Sequence, residues 1–109
     1  MMFAMSDHHP TQPAADELEL PAVLHALSDP IRLRIVRDLA DRGACNCGTF
    51  AVPVAKSTLS HHLRVLREAG LTFTEPAGTQ RVVSLRRTDL DARFPGLLDA
   101  VLGAAPVPA

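Results

Sequence analysis

Three leucines at helical spacing, Leu59, Leu63 and Leu66, constrain this chain more than any other feature. They predict an amphipathic helix over residues 57–69, with the three side chains within about 60° of arc on one buried face. Gly70 follows as a residue that ends helices. The opposite face carries hydrogen-bonding side chains and cations, with little that could fill a core: Ser57, Ser60, His61 and Arg64, with Lys56 and Arg67 at one edge.

Two further helices are predicted upstream. Apolar residues at positions 18, 20, 23, 24 and 27 give the first helix an apolar face. Asp29 is placed to cap the second helix and Pro30 to be its first residue, because a carboxylate accepts backbone N–H bonds and the proline ring presets φ. Gly43 is placed to end it. Between residues 44 and 53 we expect a turn and a small helix closed by a proline.

Residues 71–86 predict a β-hairpin, because apolar and polar residues alternate on either side of the turn at residues 76–79. Thr88 and Asp91 resemble a capping box for a last apolar helix, which Pro95 must kink or restart. This order of elements is typical of a winged helix-turn-helix, a mainly α fold with a β-hairpin wing (α+β). We predict one such domain over residues 16–103, a mobile tail at 1–15 and a flexible tail at 104–109.

The charges are segregated along the chain, although the net charge is only −1. Residues 30–87 hold ten Lys or Arg against four Asp or Glu, whereas residues 1–29 hold five acids and no Lys or Arg. A basic middle between acidic ends fits a module that faces a polyanion, flanked by segments that face elsewhere.

The basic middle and the polar helix face together favour double-stranded DNA as the partner. The major groove admits one α-helix, and a basic hairpin turn can reach the neighbouring minor groove or the phosphates. A merely solvated helix face is the alternative, and the hairpin and the charge segregation favour DNA over it. The predicted DNA-binding residues are Lys56, Ser57, Thr58, Ser60, His61, Arg64 and Arg67 on the helix, and Gln80 and Arg81 at the hairpin.

Two stretches, ALSDPIRLRI at residues 26–35 and KSTLSHHLRVLREAGL at residues 56–71, resemble the ArsR/SmtB family of bacterial transcriptional regulators. The resemblance covers roughly residues 18–102. It implies a homodimer held by the first and last helices, a recognition helix at residues 57–69 and a wing at residues 71–86. In most such proteins a metal or an oxidant weakens DNA binding, although some members use other signals or act as activators.

The three histidines of the predicted helices are expected to have different roles. His62 lies at the edge of the leucine stripe, so we expect a packed and hydrogen-bonded core residue rather than a metal ligand or a residue that reads bases. His61 is expected to face DNA. His25, in the first helix, is expected to be structural or to lie at the dimer interface.

Cys45 and Cys47 are the candidate sensing residues. The family's thiol-type metal sensors carry a Cys-x-Cys pair near this place, although the residues flanking the pair differ here. Two thiolates are an incomplete site for a soft metal, so His8, His9 or the partner chain would supply a further ligand. Nickel, zinc, cadmium and trivalent arsenic are candidate ions, and a redox sensor or a silent pair remains open. The family's other frequent metal site lies on the last helix and pairs an acid with histidines. Here no histidine follows His62, although Asp89, Asp91 and Asp99 remain.

Other classes of protein find less support. The sequence shows no Gly-rich phosphate loop, nucleophile elbow or paired acids of an enzyme. It also shows no apolar run long enough to span a bilayer and no signal peptide, so we expect a cytoplasmic protein. A winged helix that binds only other proteins is the stronger alternative, because a fold alone does not fix a function.

Overall fold

The computed structural model describes residues 12–104, apart from the side chains of Cys47 and Ala104. This part of the chain forms five α-helices and a three-stranded antiparallel sheet with the strand order β1-β3-β2. The helices are α1 (Leu20–Leu27), α2 (Pro30–Arg42), α3 (Lys56–Ala69), α4 (Arg87–Arg93) and α5 (Leu97–Ala104), and the strands are β1 (Cys45–Asn46), β2 (Thr72–Ala77) and β3 (Gln80–Leu85). The predicted winged helix-turn-helix architecture is confirmed.

Helix α2 begins and ends where its local sequence predicts. The Asp29 carboxylate accepts hydrogen bonds from the backbone N–H groups of Ile31 at 2.9 Å and Arg32 at 3.0 Å, and Pro30 is the first helical residue. Gly43 follows the last turn with a φ of 83°. These caps satisfy backbone groups that a helix end leaves without partners.

The core lies where α1, α2 and α3 meet, and it continues to β3 and the two C-terminal helices. Leu63 and Leu66 of the leucine stripe are buried, and Leu59 is half-buried. Leu20 and Leu24, predicted on the apolar face of α1, are instead 41% and 45% exposed. The largest fully buried apolar side chains are Leu18, Val23, Ile35, Val36, Leu66, Leu71, Val83, Leu90 and Leu98.

Strands β2 and β3 form the predicted wing, in a register that runs from Thr72 opposite Leu85 to Ala77 opposite Gln80. Gly78, with a φ of 64°, supplies the left-handed backbone conformation of the turn. The segment before α3 agrees with the prediction only in part: its small helix is a single 3₁₀ turn that ends at Thr49, before Pro53, and a strand that was not predicted precedes it. It contains the short strand β1, in which Cys45 pairs with Val83 of the wing, and a 3₁₀ turn at Cys47–Thr49.

The last predicted helix is interrupted around Pro95, as expected: α4 ends at Arg93 and a separate helix, α5, begins at Leu97. The predicted capping box at Thr88 and Asp91 is wrong, because α4 begins at Arg87 and Thr88 already lies inside it. The Arg86 side chain bonds to Asp89 at 3.1 Å and to the Pro13 carbonyl at 2.6 Å. These contacts accompany a helix that starts two residues earlier than the box requires, with Arg86 rather than Thr88 at the N-cap position. Within residues 12–104, none of the helices is long and apolar enough to cross a membrane.

Candidate nucleic-acid interface

The outer face of α3 is open to solvent because its leucines turn inward and side chains on the opposite side of a helix must then turn outward. Arg67 differs from the other predicted residues of this helix because it is half-buried at the edge of the face. The predicted residues that are exposed here are Lys56, Ser57, Thr58, Ser60, His61 and Arg64.

The wing presents the other two predicted residues. Gln80 and Arg81 begin β3, directly after the turn at Gly78 and Thr79, and both are exposed. Arg81 lies opposite Pro76 in the hairpin, close to its tip. The wing therefore carries a cation at the end that projects from the body.

A cleft of about 690 Å³ lies between α3, the segment at residues 48–54 and the wing. Seven of the nine predicted DNA-binding residues line this cleft, and Thr58 and Gln80 lie outside its lining. Its apolar lining includes Phe50 and Leu63, which are buried. The residues that line the cleft and belong to the predicted set are Lys56, Ser57, Ser60, His61, Arg64, Arg67 and Arg81.

The electrostatic character of the cleft follows from this lining. Four of the seven side chains are Lys or Arg, and none of the described residues that line the cleft is acidic. Hydroxyl and imidazole groups lie between the cations, so the surface offers hydrogen bonds as well as positive charge. A concave, positively charged surface beside the exposed face of a helix is suited to a phosphate backbone and the edges of bases.

His62 lies behind this surface and is 8% exposed, which confirms the prediction of a packed, hydrogen-bonded histidine. Its Nδ1 lies 3.1 Å from Nη1 of Arg32. Because a guanidinium only donates hydrogen bonds, Nδ1 must accept this one, and the ring proton of the neutral imidazole then sits on Nε2. The ring centroids of His61 and His62 lie 5.7 Å apart, so the exposed histidine and the buried histidine are neighbours.

Arg32 is a residue that the sequence reasoning missed. It is 8% exposed and lies among the apolar side chains of α2. Its spacing could have revealed it, because Arg32, Val36 and Leu39 follow the i, i+4, i+7 pattern of one helix face. Because arginine is charged and rarely buried, it is not expected on the buried face of α2.

The Asp29 carboxylate completes this polar cluster, with Oδ2 3.9 Å from Nδ1 of His62. Burial raises the pKa of Asp29, but the backbone N–H of Arg32, the electrostatic interactions with His62 and with the Arg32 guanidinium, and the backbone N–H of Ile31 lower it. The lowering contributions together exceed the effect of burial, so the pKa lies below its ordinary value. The carboxylate is therefore held in its charged form at the start of α2.

The candidate sensing residues are only partly described. Cys45 is buried and its Sγ donates to the Gly43 carbonyl at 3.2 Å. Cys47 begins the 3₁₀ turn, and its side chain, like His8 and His9, lies outside the described residues. Among the residues that the structure describes, no group of three or more His, Cys, Asp or Glu side chains is arranged to hold a metal ion.

The acids of the C-terminal helices have arginine partners. Asp89 pairs with Arg86 at 3.0 Å, and Asp99 pairs with Arg87 at 3.1 Å. Asp91 lies 3.8 Å from Arg87 as well. A metal ion at these carboxylates would have to compete with the guanidinium groups.

Comparisons with known proteins place these features in context. A family model described as a helix-turn-helix domain matches residues 27–72, which run from the end of α1 to the start of β2. An uncharacterised HTH-type transcriptional regulator of Bacillus subtilis, YceK, is 35% identical over 84% of this chain and 94% of its own length. The arsenical resistance operon repressor of Staphylococcus xylosus is 34% identical over 67% of this chain and 71% of its own.

Two solved structures of transcriptional regulators have a fold similar to that of this chain. A possible transcriptional regulator for arsenical resistance superposes with a TM-score of 0.60 and 32% identity, over 75% of this chain and 84% of that chain. The transcriptional repressor BigR from Xylella fastidiosa superposes with a TM-score of 0.63 and 27% identity, over 82% and 88%.

Proposed function

This chain belongs to the ArsR/SmtB family of helix-turn-helix transcriptional regulators, and we propose that it acts as a homodimeric repressor on an inverted-repeat DNA operator. It is a DNA-binding regulator and not an enzyme. The dimer, the symmetry of the operator and the residues that contact DNA are the proposed parts. We place its action in the cytoplasm, where the operators of such regulators lie.

The observation that carries this proposal is the cleft between α3 and the wing, lined by four cations and by no acid among its described residues. We assign Arg64 and His61 to the edges of bases, because both are exposed on the outer face of α3. We assign Arg81 to the phosphate backbone, because it lies near the tip of the wing.

The exposed apolar side chains of α1 support a homodimer. Leu20 and Leu24 are the large apolar side chains that the described part of the chain leaves exposed, and they lie one helical turn apart. A second copy of the chain would cover them. A two-fold axis between the two copies would then present two α3 helices to successive major grooves, about 34–36 Å apart.

Footprinting on a duplex that the protein selects from a random pool tests this function. We expect two protected half-sites related by a two-fold axis, about one helical turn of DNA apart. Binding should weaken steeply with salt, because phosphate contacts release counterions. Protection of a single unsymmetrical half-site by a monomer would contradict the proposal.

We further propose that a soft or borderline metal or metalloid, such as nickel, zinc, cadmium or trivalent arsenic, controls DNA binding through Cys45 and Cys47. The names of the relatives support this, since two of them are arsenical resistance operon repressors. The position of Cys45 supports it too, because β1 pairs with the wing and lies just before α3. His8 or His9 is the proposed further ligand.

A further inference from the structure

Arg32 is a buried cation in the first turn of α2, and a charge in such a place requires an explanation. Only 8% of the residue is exposed. Arginine is rarely buried unless its donors are paired, because removing a charge from water is costly. The contacts of its guanidinium therefore indicate what the residue does.

The guanidinium joins three helices. Nε donates to the Ala26 carbonyl at 2.7 Å and Nη2 donates more weakly to the His25 carbonyl at 3.5 Å, both in the last turn of α1. Nη1 donates to Nδ1 of His62 at 3.1 Å, in the middle of α3. The last carbonyls of a helix carry partial negative charge, so a cation is favoured there. The His25 carbonyl also accepts hydrogen bonds from the backbone N–H and the hydroxyl of Ser28, so the Ala26 carbonyl is the main α1 partner of Arg32.

These contacts fix directions as well as distances. The donors of a guanidinium lie in one plane at fixed angles, so α1 and α3 can satisfy them only in a narrow range of relative orientations. Apolar packing alone tolerates sliding and rotation more readily, and a buried ionic contact often adds little net stability over an apolar one of similar size. The geometry therefore points to orientation of α3 as the effect of Arg32.

The contact on α3 is directly connected to the DNA-facing surface. His62 is followed on the chain by Leu63 and preceded by His61, whose exposed ring lies 5.7 Å from that of His62. A rotation of α3 that broke the contact between Arg32 and His62 would move His61 and Arg64 relative to α1. In the proposed dimer α1 carries the apolar contact, so such a rotation would change how the two α3 helices meet successive grooves.

We propose that Arg32 is a positioning residue for sequence recognition, which holds α3 at a set angle to α1 through His62 and the carbonyls of Ala26 and His25. The inference rests on the proposed operator binding. It predicts loss of sequence discrimination without loss of general affinity for DNA, because the cations of the cleft remain in place. A residue that only stabilised the fold would weaken both kinds of binding together.

The test compares two duplexes of equal length: one that the wild-type protein selects from a random pool, and a scrambled version of it. Arg32→Met removes the donors and keeps most of the volume. We expect the ratio of the two affinities to fall by roughly 10- to 100-fold, the size of one or two mismatched positions in a site. The salt slope on the scrambled duplex should be unchanged. Arg34→Met, at an exposed arginine of the same helix, is the matched control and should keep the ratio.

A second pair of variants covers the case in which Arg32→Met does not fold. His62→Gln keeps a side-chain acceptor for Nη1 of Arg32, and we expect it to retain much of the discrimination. His62→Leu has no acceptor and should lose discrimination, with its unfolding transition monitored by circular dichroism. In the wild-type protein, ¹⁵N spectra of His62 should show the proton on Nε2.

The outcomes separate the two proposals. If the folded variants keep the wild-type affinity ratio, or lose affinity for both duplexes equally, the positioning role of Arg32 is overturned while operator binding stands. If the wild-type protein itself selects no sequence from the pool, operator binding fails, and the role of Arg32 fails with it.

Discussion

Single side chains of the cleft differ in what they would contact on DNA. Arg64→Ala or His61→Ala is expected to weaken binding to the selected duplex by about 1–3 kcal/mol per half-site, because a hydrogen bond to a base edge is removed. Arg81→Ala is expected to weaken selected and scrambled duplexes by nearly the same factor, because a phosphate contact carries no sequence information. Titration of both duplexes over a range of salt concentrations measures this. For Arg81→Ala the salt slope should fall by about one unit for each phosphate that a subunit no longer neutralises.

Arg42→Ala is a control for these variants, since Arg42 is exposed at the end of α2 and does not line the cleft. Its affinity for both duplexes should stay close to that of the wild type. If all three cleft variants also bound as the wild type does, with their folding intact, the DNA face would lie elsewhere.

Asp29 links the start of α2 to the stability of the fold. Its pKa is lowered in the folded chain, so its ionised form stabilises the fold at pH values above the pKa in the unfolded chain. That contribution is lost as the pH falls through the folded-state pKa. Asp29→Ala is expected to lower the free energy of unfolding by about 1 kcal/mol at neutral pH through loss of the cap. The difference from the wild type should begin to shrink below about pH 4, the ordinary pKa of an aspartate in an unfolded chain, and should vanish below the lower folded-state pKa.

Urea denaturation between pH 7 and pH 3 measures this difference. Asp29→Asn serves as the control, because an asparagine oxygen still caps the helix but carries no charge. It should be more stable than Asp29→Ala at neutral pH and should show a weaker dependence on pH than the wild type. A difference between Asp29→Ala and the wild type that stayed constant down to pH 3 would contradict the role of the carboxylate.

At the scale of elements, the corner between α3 and β2 depends on Gly70. Its φ is 88°, and a Cβ there would overlap the side chain of Leu18. Gly78, in the wing turn, has a φ of 64° and open space around it. Gly78→Ala is expected to cost about 1–2 kcal/mol for the left-handed backbone, and Gly70→Ala about 1–3 kcal/mol more for the overlap. Urea denaturation of both variants measures the loss in the free energy of unfolding. Equal losses would contradict the prediction, because they would show that the Leu18 side chain moves aside without cost.

Local signals made most elements predictable, and contacts distant in sequence account for the rest. Asp29, Pro30 and Gly43 act on their own helix, so α2 could be placed from the sequence alone. Strand β1 spans two residues and exists through its pairing with β3, so no periodicity could reveal it. The start of α4 depends on the contact of Arg86 with Pro13, 73 positions away along the chain.

The candidate site also combines features that the local sequence predicts with features that depend on contacts distant in sequence. The exposed face of α3 follows from the inward direction of its leucines, so its residues could be named from the sequence. The cleft depends on the wing and on residues 48–54, which approach α3 only in the folded chain. Arg32 could have been placed on a buried face by spacing, but its partner His62 lies 30 residues away. Polar pairs of this kind leave no periodic pattern.

For the whole molecule, dimerisation is predicted to depend on the exposed apolar surface of α1. Leu20→Glu combined with Leu24→Glu should leave the single chain folded, because both side chains lie at the surface of α1, 41% and 45% exposed, and neither belongs to the buried core. The charges should prevent association of two copies, since a charge buried without a partner is costly. Sedimentation should then show a monomer with weakened operator binding. Ala22→Glu, about 160° around the helix from Leu24, is the control and should remain dimeric. A dimer that survived the double change would place the interface elsewhere.

The last prediction concerns the coupling between the cysteine pair and DNA binding across the molecule. To bind an ion, Cys45 must give up its hydrogen bond to the Gly43 carbonyl, and β1 would then shift against β3 of the wing. A coupling of about 1–3 kcal/mol would change operator affinity roughly 5- to 150-fold. The response should weaken at acidic pH, because protons compete with metal for thiolates and imidazoles. The measurement is a titration of labelled operator at fixed salt with nickel, zinc, cadmium or trivalent arsenic. It compares the wild type, the Cys45→Ser and Cys47→Ser double variant, and a chain lacking residues 1–11, which keeps the contacts of Gln12 and Pro13 with the wing and Arg86. Both variants should respond less than the wild type. If both respond as the wild type does, the ion binds elsewhere, and Asp99→Asn then tests the acids of the C-terminal helices.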